Sequence, residues 1–193
     1  GSRGLLRVLL AGRPKLLAGF NIKFDILHLI ADPEDYAAYQ EWVADGGLVW
    51  DGQLAEYLLD GMVQESHMLS LDEVAPRYGG TVKIDEVKAL WEKGVDTHHI
   101  PRQLLMDYLT GRDGEGGDIL NTELILLGQL KAARELRMMN SMRLNMGALL
   151  ASIEMERNGL HVDKALGLEQ AAQLGQDIAR MREKMLQNLP KEL

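Results

Sequence analysis

The sequence contains no cysteine, which excludes disulfide bonds and thiolate metal ligands. It also lacks an apolar run long enough to span a bilayer, and no signal peptide is visible. We therefore expect no membrane partner and a cytoplasmic location. With 46% hydrophobic and 26% charged residues, the remaining composition is that of an ordinary globular protein.

An excess of positive charge is also missing, since 21 Lys and Arg face 29 Asp and Glu, for a net charge of −8. This balance argues against a protein that grips DNA through a broad basic face. It does not exclude an enzyme that meets nucleic acid through bound cations. A divalent-metal site requires carboxylates, and the ions then supply the local positive field.

Two short apolar runs have the length of buried strands and pass directly into helical spacing. They are LLAGF (16–20) and LVW (48–50), and a strand that passes into a helix is typical of α/β proteins. Most other segments have helical periodicity, including the long pattern at 164–189. We predict an α/β chain that is mostly helical, with two short strands, and a mobile polar loop at 110–117.

Several acidic and hydroxyl residues stand where helices are predicted to begin. Asp32 precedes Pro33, Asp51 follows the second strand, and Ser70 precedes Glu73 by three positions, as in a capping box. The role of Asp25 is less clear, because Asn21 and Asp25 are one helical turn apart and share a helix face. A carboxylate beside apolar residues is either a cap or a functional group, and the local pattern does not decide between them.

Four segments in the same order resemble one family. NIKFD (21–25), VWDGQLAEYLLDG (49–61) and GDILNTELILL (117–127) resemble parts of the proofreading 3′–5′ exonuclease domain of family A DNA polymerases, especially phage enzymes. ASIEMERNGLHVD (151–163) resembles the start of the polymerase domain. The resemblance implies an incomplete ribonuclease H-like (DnaQ-like) exonuclease fold over 3–137. Residues 138–193 would be the linker and first polymerase helices.

The resemblance also implies a site for phosphodiester hydrolysis. It assigns Asp25 and Asp118 as ligands of two Mg²⁺ or Mn²⁺ ions, which carboxylate oxygens suit. It implies that Asn21 supports the substrate end and that a tyrosine orients the attacking water, for which Tyr108 is the candidate. The expected partners are the single-stranded 3′ end of DNA and the remainder of a polymerase chain.

Two departures from the family pattern bear on this site. The family's first motif, Asp-x-Glu, is expected upstream of residue 5, and nothing there supplies it. Asp32-Pro33-Glu34 has the same spacing, but it follows the second motif and is expected to be a helix cap. The family tyrosine lies four residues before the last Asp, where this sequence has Gly114. An insertion of TGRDGE accounts for the displacement of Tyr108. We therefore expect this chain alone to be inactive as a nuclease.

Other interpretations stay open. The chain is alternatively a noncatalytic DNA-guiding or scaffold module derived from such an exonuclease, or an unrelated helical interaction protein. Asp118 also fits as the N-cap of the helix that follows it. The histidines are not expected to bind metal, because no carboxylate or histidine partner stands at ligand spacing from them: His28, His67, His98 and His99.

Overall fold

The computed structural model describes residues 4–81, 86–112 and 115–188, with only the backbone described at residue 115. Most of these residues are helical, as the apolar spacing predicts. The α-helices are α1 (Leu5–Ala11), α2 (Ile22–Leu29), α3 (Pro33–Ala44), α4 (Gly52–Leu59), α5 (Leu71–Val74), α6 (Glu86–Glu92), α7 (Arg102–Thr110), α8 (Asp118–Glu135), α9 (Met139–Asn158) and α10 (Lys164–Gln187). Short 3-10 turns lie at Gln64–Ser66, Ala75–Tyr78 and Thr97–His99.

Two parallel strands form the centre of the α/β part. β1 (Leu16–Gly19) pairs with β2 (Leu48–Asp51), in a register that sets Leu16 opposite Leu48 and Gly19 opposite Asp51. Parallel strands require a crossover connection, and α2 and α3 supply it. The prediction of a mostly helical α/β chain with short strands at these positions is confirmed. The ribonuclease H-like assignment stays a prediction.

The helix caps that the sequence predicts are present. The Asp32 side chain accepts the N–H of Glu34 at 3.0 Å, with Pro33 as the first residue of α3. Ser70 and Glu73 form a reciprocal capping box at α5. Gly159 ends α9 with a φ of 68°, a left-handed conformation that glycine adopts at helix ends.

The main hydrophobic core joins the sheet to the surrounding helices. It takes side chains from α1 to α4, from β2, and from α8 and α9. A smaller cluster lies where α5 and the turn after it meet α8. The central members of the main core are Leu6, Ile26, Tyr39, Val49, Ala133, Met142 and Ile153.

The chain divides into two compact units, residues 1–157 and 158–193. The methionine-rich helix α9 belongs to the first unit, where Met142, Met146 and Ile153 are buried. The second unit contains α10, whose first turn is capped when Asp163 accepts the N–H of Leu166 at 3.0 Å. The predicted boundary after residue 137 separates an exonuclease from a polymerase domain, and that assignment stays a prediction.

The polar segment at 110–117 contains a short strand pair, and its mobility stays a prediction. β3 (Gly111–Arg112) pairs antiparallel with β4 (Glu115–Gly116), while residues 113 and 114 lie outside the described part. The prediction of only two strands is therefore wrong. The cause is a tertiary contact, because the N–H of Gly116 donates to Oγ1 of Thr81 at 2.6 Å.

None of the helices in the described ranges combines the length and the apolar character that a bilayer crossing requires.

Candidate metal-binding cleft

The carboxyl ends of β1 and β2 lie side by side and are joined by Asp51. One oxygen of its buried carboxylate, Oδ1, accepts the N–H groups of Gln53 at 2.9 Å, Leu54 at 3.1 Å and Asn21 at 3.2 Å. Burial raises the pKa of the Asp51 carboxyl, and these N–H groups oppose the rise. Asp51 is therefore a cap, as predicted, and it also fixes the junction between β1 and α2.

Asn21 forms that junction through its backbone. Its φ of 57° and ψ of 44° are left-handed, a conformation that Asn tolerates better than most residues. The side chain makes no capping hydrogen bond to α2 and is exposed. This backbone turn redirects the chain from the strand into the helix that carries Asp25.

Asp25 lies in the first turn of α2, where the helix dipole favours a negative charge. Its neighbours Ile22 and Ile26 are buried in the core, which leaves Asp25 at the edge of the apolar face. The Asp25 side chain is exposed, but the surrounding protein partly desolvates its carboxyl and raises the pKa, while His28 opposes this rise and the charge of Asp51 adds to it.

Asp118 is the first residue of α8, and Gly117 occupies the N-cap position. The alternative interpretation of Asp118 as the N-cap is therefore wrong. A Cβ atom at Gly117 would approach the backbone O of Leu109 to 2.3 Å and the N of Gly111 to 2.4 Å. Only glycine fits this close approach of α7 and β3 to the start of α8.

A buried polar network holds α8 against the end of β2. The Gln129 amide donates to the backbone O of Gly52 at 2.8 Å and to Oε2 of Glu56 at 2.9 Å, and it accepts from Nε1 of Trp50 at 3.0 Å. Glu56 also accepts from the Tyr78 hydroxyl at 2.7 Å. Because each group finds a partner, burial of these polar atoms is compensated and the position of α8 is fixed.

Asp25 and Asp118, far apart in the sequence, line one cleft of about 620 Å³. Its walls come from the end of β1, from α2 and α5, and from the first turns of α8. Glu123 joins the two aspartates there, an acidic residue little more than one turn beyond Asp118 that the sequence analysis did not select. The remaining lining residues are Ala18, Gly19, Phe20, Leu71, Ile119, Thr122 and Leu126.

The other two predicted site residues are not among the residues that line this cleft. Tyr108 is half-buried on α7, and its ring packs edge-on against Trp91 with centroids 5.7 Å apart. Asn21 lies at the β1–α2 junction, where Asp51 accepts its N–H. The structure thus brings together Asp25 and Asp118 and leaves Tyr108 outside.

For His98 and His99, the premise that no carboxylate or histidine partner stands at ligand spacing is wrong. Asp96, His98 and His99 present ligand atoms that all lie within 4.8 Å of one another, which the exposed turn between α6 and α7 makes possible. Spacing in the sequence did not predict this group, because whether the side chains of Asp96, His98 and His99 converge depends on how the backbone turns. Within residues 4–81, 86–112 and 115–188, no such group of three includes Asp25 or Asp118.

No protein-family model, curated protein or solved structure matches this chain.

Proposed function

We propose that this chain carries part of a two-metal 3′–5′ exonuclease and is a fragment of a family A DNA polymerase. The activity would remove nucleotides from a DNA 3′ end by phosphodiester hydrolysis. The observation that supports the proposal is the shared cleft of Asp25 and Asp118. It agrees with the two segments that resemble motifs of one metal site, NIKFD and GDILNTELILL.

The chemistry of the cleft fits a hard divalent cation. Asp25 and Asp118 offer the carboxylate oxygens that Mg²⁺ and Mn²⁺ prefer, and Glu123 adds a third acidic side chain to the same walls. Bound ions would offset the net charge of −8, which otherwise repels a DNA phosphate. Phe20 and Ile119 supply apolar surface against which a terminal base could pack.

Among the residues that the structure describes, the ligand set is incomplete for two ions. No group of three convergent ligands in the described ranges contains Asp25 or Asp118. This observation favours a second candidate function, a noncatalytic DNA-guiding module that retains the cleft without turnover. The two candidates differ in whether a longer chain that includes these residues hydrolyses DNA.

Mn²⁺ binding tests the metal assignment in the chain as it stands. Electron paramagnetic resonance of free Mn²⁺ should detect one weak site, and Asp25→Asn or Asp118→Asn should weaken it about tenfold, because each removes a charged ligand. Asp45→Asn, at an exposed side chain outside the cleft, is the matched control. Unchanged Mn²⁺ affinity in both cleft variants would refute the metal assignment.

Nuclease activity separates the two candidate functions. In a longer polypeptide that includes this chain, Asp25→Asn should reduce Mn²⁺-dependent digestion of 3′-labelled single-stranded DNA by about a hundredfold or more, since a metal ligand is lost. The 193-residue chain alone should show no such digestion. A longer polypeptide that binds Mn²⁺ but never digests DNA would favour the noncatalytic module.

A further inference from the structure

A second group of metal-ligating side chains lies on the turn between α6 and α7. Asp96 precedes the 3-10 turn Thr97–His99, and its carboxylate converges with the imidazoles of His98 and His99. All three side chains are exposed, and none of them lines the cleft of Asp25 and Asp118. We propose that this turn binds one divalent transition-metal ion of the zinc class through Asp96, His98 and His99.

The donor set determines the class of ion. Two imidazoles and one carboxylate suit Zn²⁺, Co²⁺ and Ni²⁺ better than Mg²⁺, which prefers oxygen ligands alone. A tetrahedral zinc site with bonds of about 2.0–2.2 Å spaces neighbouring ligand atoms about 3.3 Å apart. The ligand atoms of Asp96, His98 and His99 lie within 4.8 Å of one another, so zinc binding requires them to move closer together.

The two imidazoles are already side by side. The ring centroids of His98 and His99 are 3.8 Å apart and their planes meet at 43°. The Asp96 carboxylate does not cap the turn, so its oxygens are not used by the backbone N–H groups there. Three ligands from one short segment leave the outward coordination positions to water or to an incoming donor.

The backbone of the turn is held before any ion binds. The N–H of His99 donates to the O of Asp96 at 2.9 Å, and the N–H of Ile100 donates to the O of Thr97 at 3.1 Å. The Ile100 side chain is buried and anchors the end of the turn. Because the backbone that carries the three ligands is already ordered, ion binding costs little backbone conformational entropy.

Trp91 connects this turn to its surroundings and provides a spectroscopic reporter. Its indole Nε1 donates to Oγ1 of Thr97, between two of the ligands, at 3.1 Å. Trp91 is 40% exposed, whereas Trp42 and Trp50 are 7% and 5% exposed, so the three tryptophans are distinguishable. The Trp91 ring also packs edge-on against Tyr108 of α7, with ring centroids 5.7 Å apart.

Isothermal titration of the 193-residue chain with Zn²⁺ tests the proposal. We expect one equivalent to bind, and we expect His98→Gln or His99→Gln to weaken binding about tenfold or more, as the loss of a ligand does. Co²⁺ should quench the Trp91 fluorescence. Trp91→Phe should remove this quenching and leave Zn²⁺ binding unchanged, because the indole is not a ligand.

Three controls locate the ion. His67→Gln and His161→Gln remove histidines outside the turn and should leave Zn²⁺ affinity unchanged, and Asp25→Asn tests the cleft in the same way. Absence of saturable Zn²⁺ binding by the wild-type chain, or wild-type Zn²⁺ affinity in both His98→Gln and His99→Gln, would overturn the proposal. Loss of Zn²⁺ binding in Asp25→Asn would also overturn it, by assigning the ion to the cleft.

Discussion

Asp35 lies fully buried in the first turn of α3, and its carboxylate accepts hydrogen bonds from the start of α1. It accepts the N–H of Gly4 at 2.8 Å and the N–H and Nε of Arg7 at 3.3 and 3.2 Å. The Gly4 hydrogen bond is the main cause of a lowered pKa at Asp35, and Arg7 adds to it. Asp35 therefore links the N-terminal helix to the core more strongly when it is ionised.

This linkage predicts a dependence of stability on pH. A carboxylate whose pKa is lowered by folding stabilises the protein above its ordinary pKa of 3.8, and this contribution is lost as the pH falls through the folded-state value. Asp35→Asn should lower the free energy of unfolding at neutral pH. The difference between wild type and variant should shrink below about pH 4. Urea unfolding at a series of pH values measures both effects.

Asp45→Asn is the control for this prediction, since Asp45 ends the same helix with an exposed side chain. It should change stability little, and by a similar amount at every pH. A constant difference between wild type and Asp35→Asn across the acid range would show that the ionised carboxylate is not the stabilising form.

The caps show what the sequence can predict at the scale of residues. Asp32, Asp51 and Ser70 act on N–H groups two or three positions along the chain, so their role is visible in the local pattern. Asp35 could not be recognised this way, because Gly4 is 31 positions distant. The same holds for Gln129 and Glu56, whose partners are set by the packing of α8.

At the scale of elements, the β3–β4 hairpin shows how a tertiary contact overrides composition. Glycine and charge at 110–117 predict a loop, since such residues bury little apolar area. The buried side chain of Asn121 accepts the N–H of Thr81 at 3.2 Å and donates to the backbone O of Thr81 at 2.8 Å. The hydroxyl oxygen of Thr81 in turn accepts the N–H of Gly116. These hydrogen bonds join β4 to α8.

Gly117→Ala should disrupt this junction. The added Cβ would meet backbone atoms of Leu109 and Gly111 at 2.3–2.4 Å, which only a backbone shift relieves. We expect a loss of about 1–3 kcal/mol in the free energy of unfolding, typical of overpacking. Because Asp118 follows directly, Mn²⁺ binding in the cleft should weaken as well. Urea unfolding and Mn²⁺ titration measure the two effects.

Gly147→Ala is the matched control, because a Cβ there meets nothing within 4 Å on α9. The helical position should gain about 0.5–1 kcal/mol from the lower backbone entropy of Ala. If Gly117→Ala behaved like Gly147→Ala, the close approach of α7 and β3 to α8 would be wrong.

At the scale of the whole molecule, the cleft depends on elements that are distant in sequence. Asp25 comes from the helix after β1, and Asp118 comes from α8. Neither the spacing nor the composition predicts that they meet, and the ordered resemblance of their segments supplied that expectation. Glu123 escaped prediction because only the packed position of α8 turns it toward the cleft.

The division into two units leads to the last prediction. Ile153 on α9 is fully buried in the main core, whereas Ile178 on α10 is 63% exposed. Ile153→Ala should therefore reduce the free energy of unfolding of the 193-residue chain by about 2–5 kcal/mol through lost burial and the cavity that remains. Ile178→Ala removes the same atoms and should change it by less than about 0.5 kcal/mol, as surface substitutions do. Urea unfolding followed by tryptophan fluorescence compares them directly, because Trp42 and Trp50 report on the main core. Equal losses in the two variants would contradict the placement of α9 within the first unit, since the two helices would then bury their isoleucines alike.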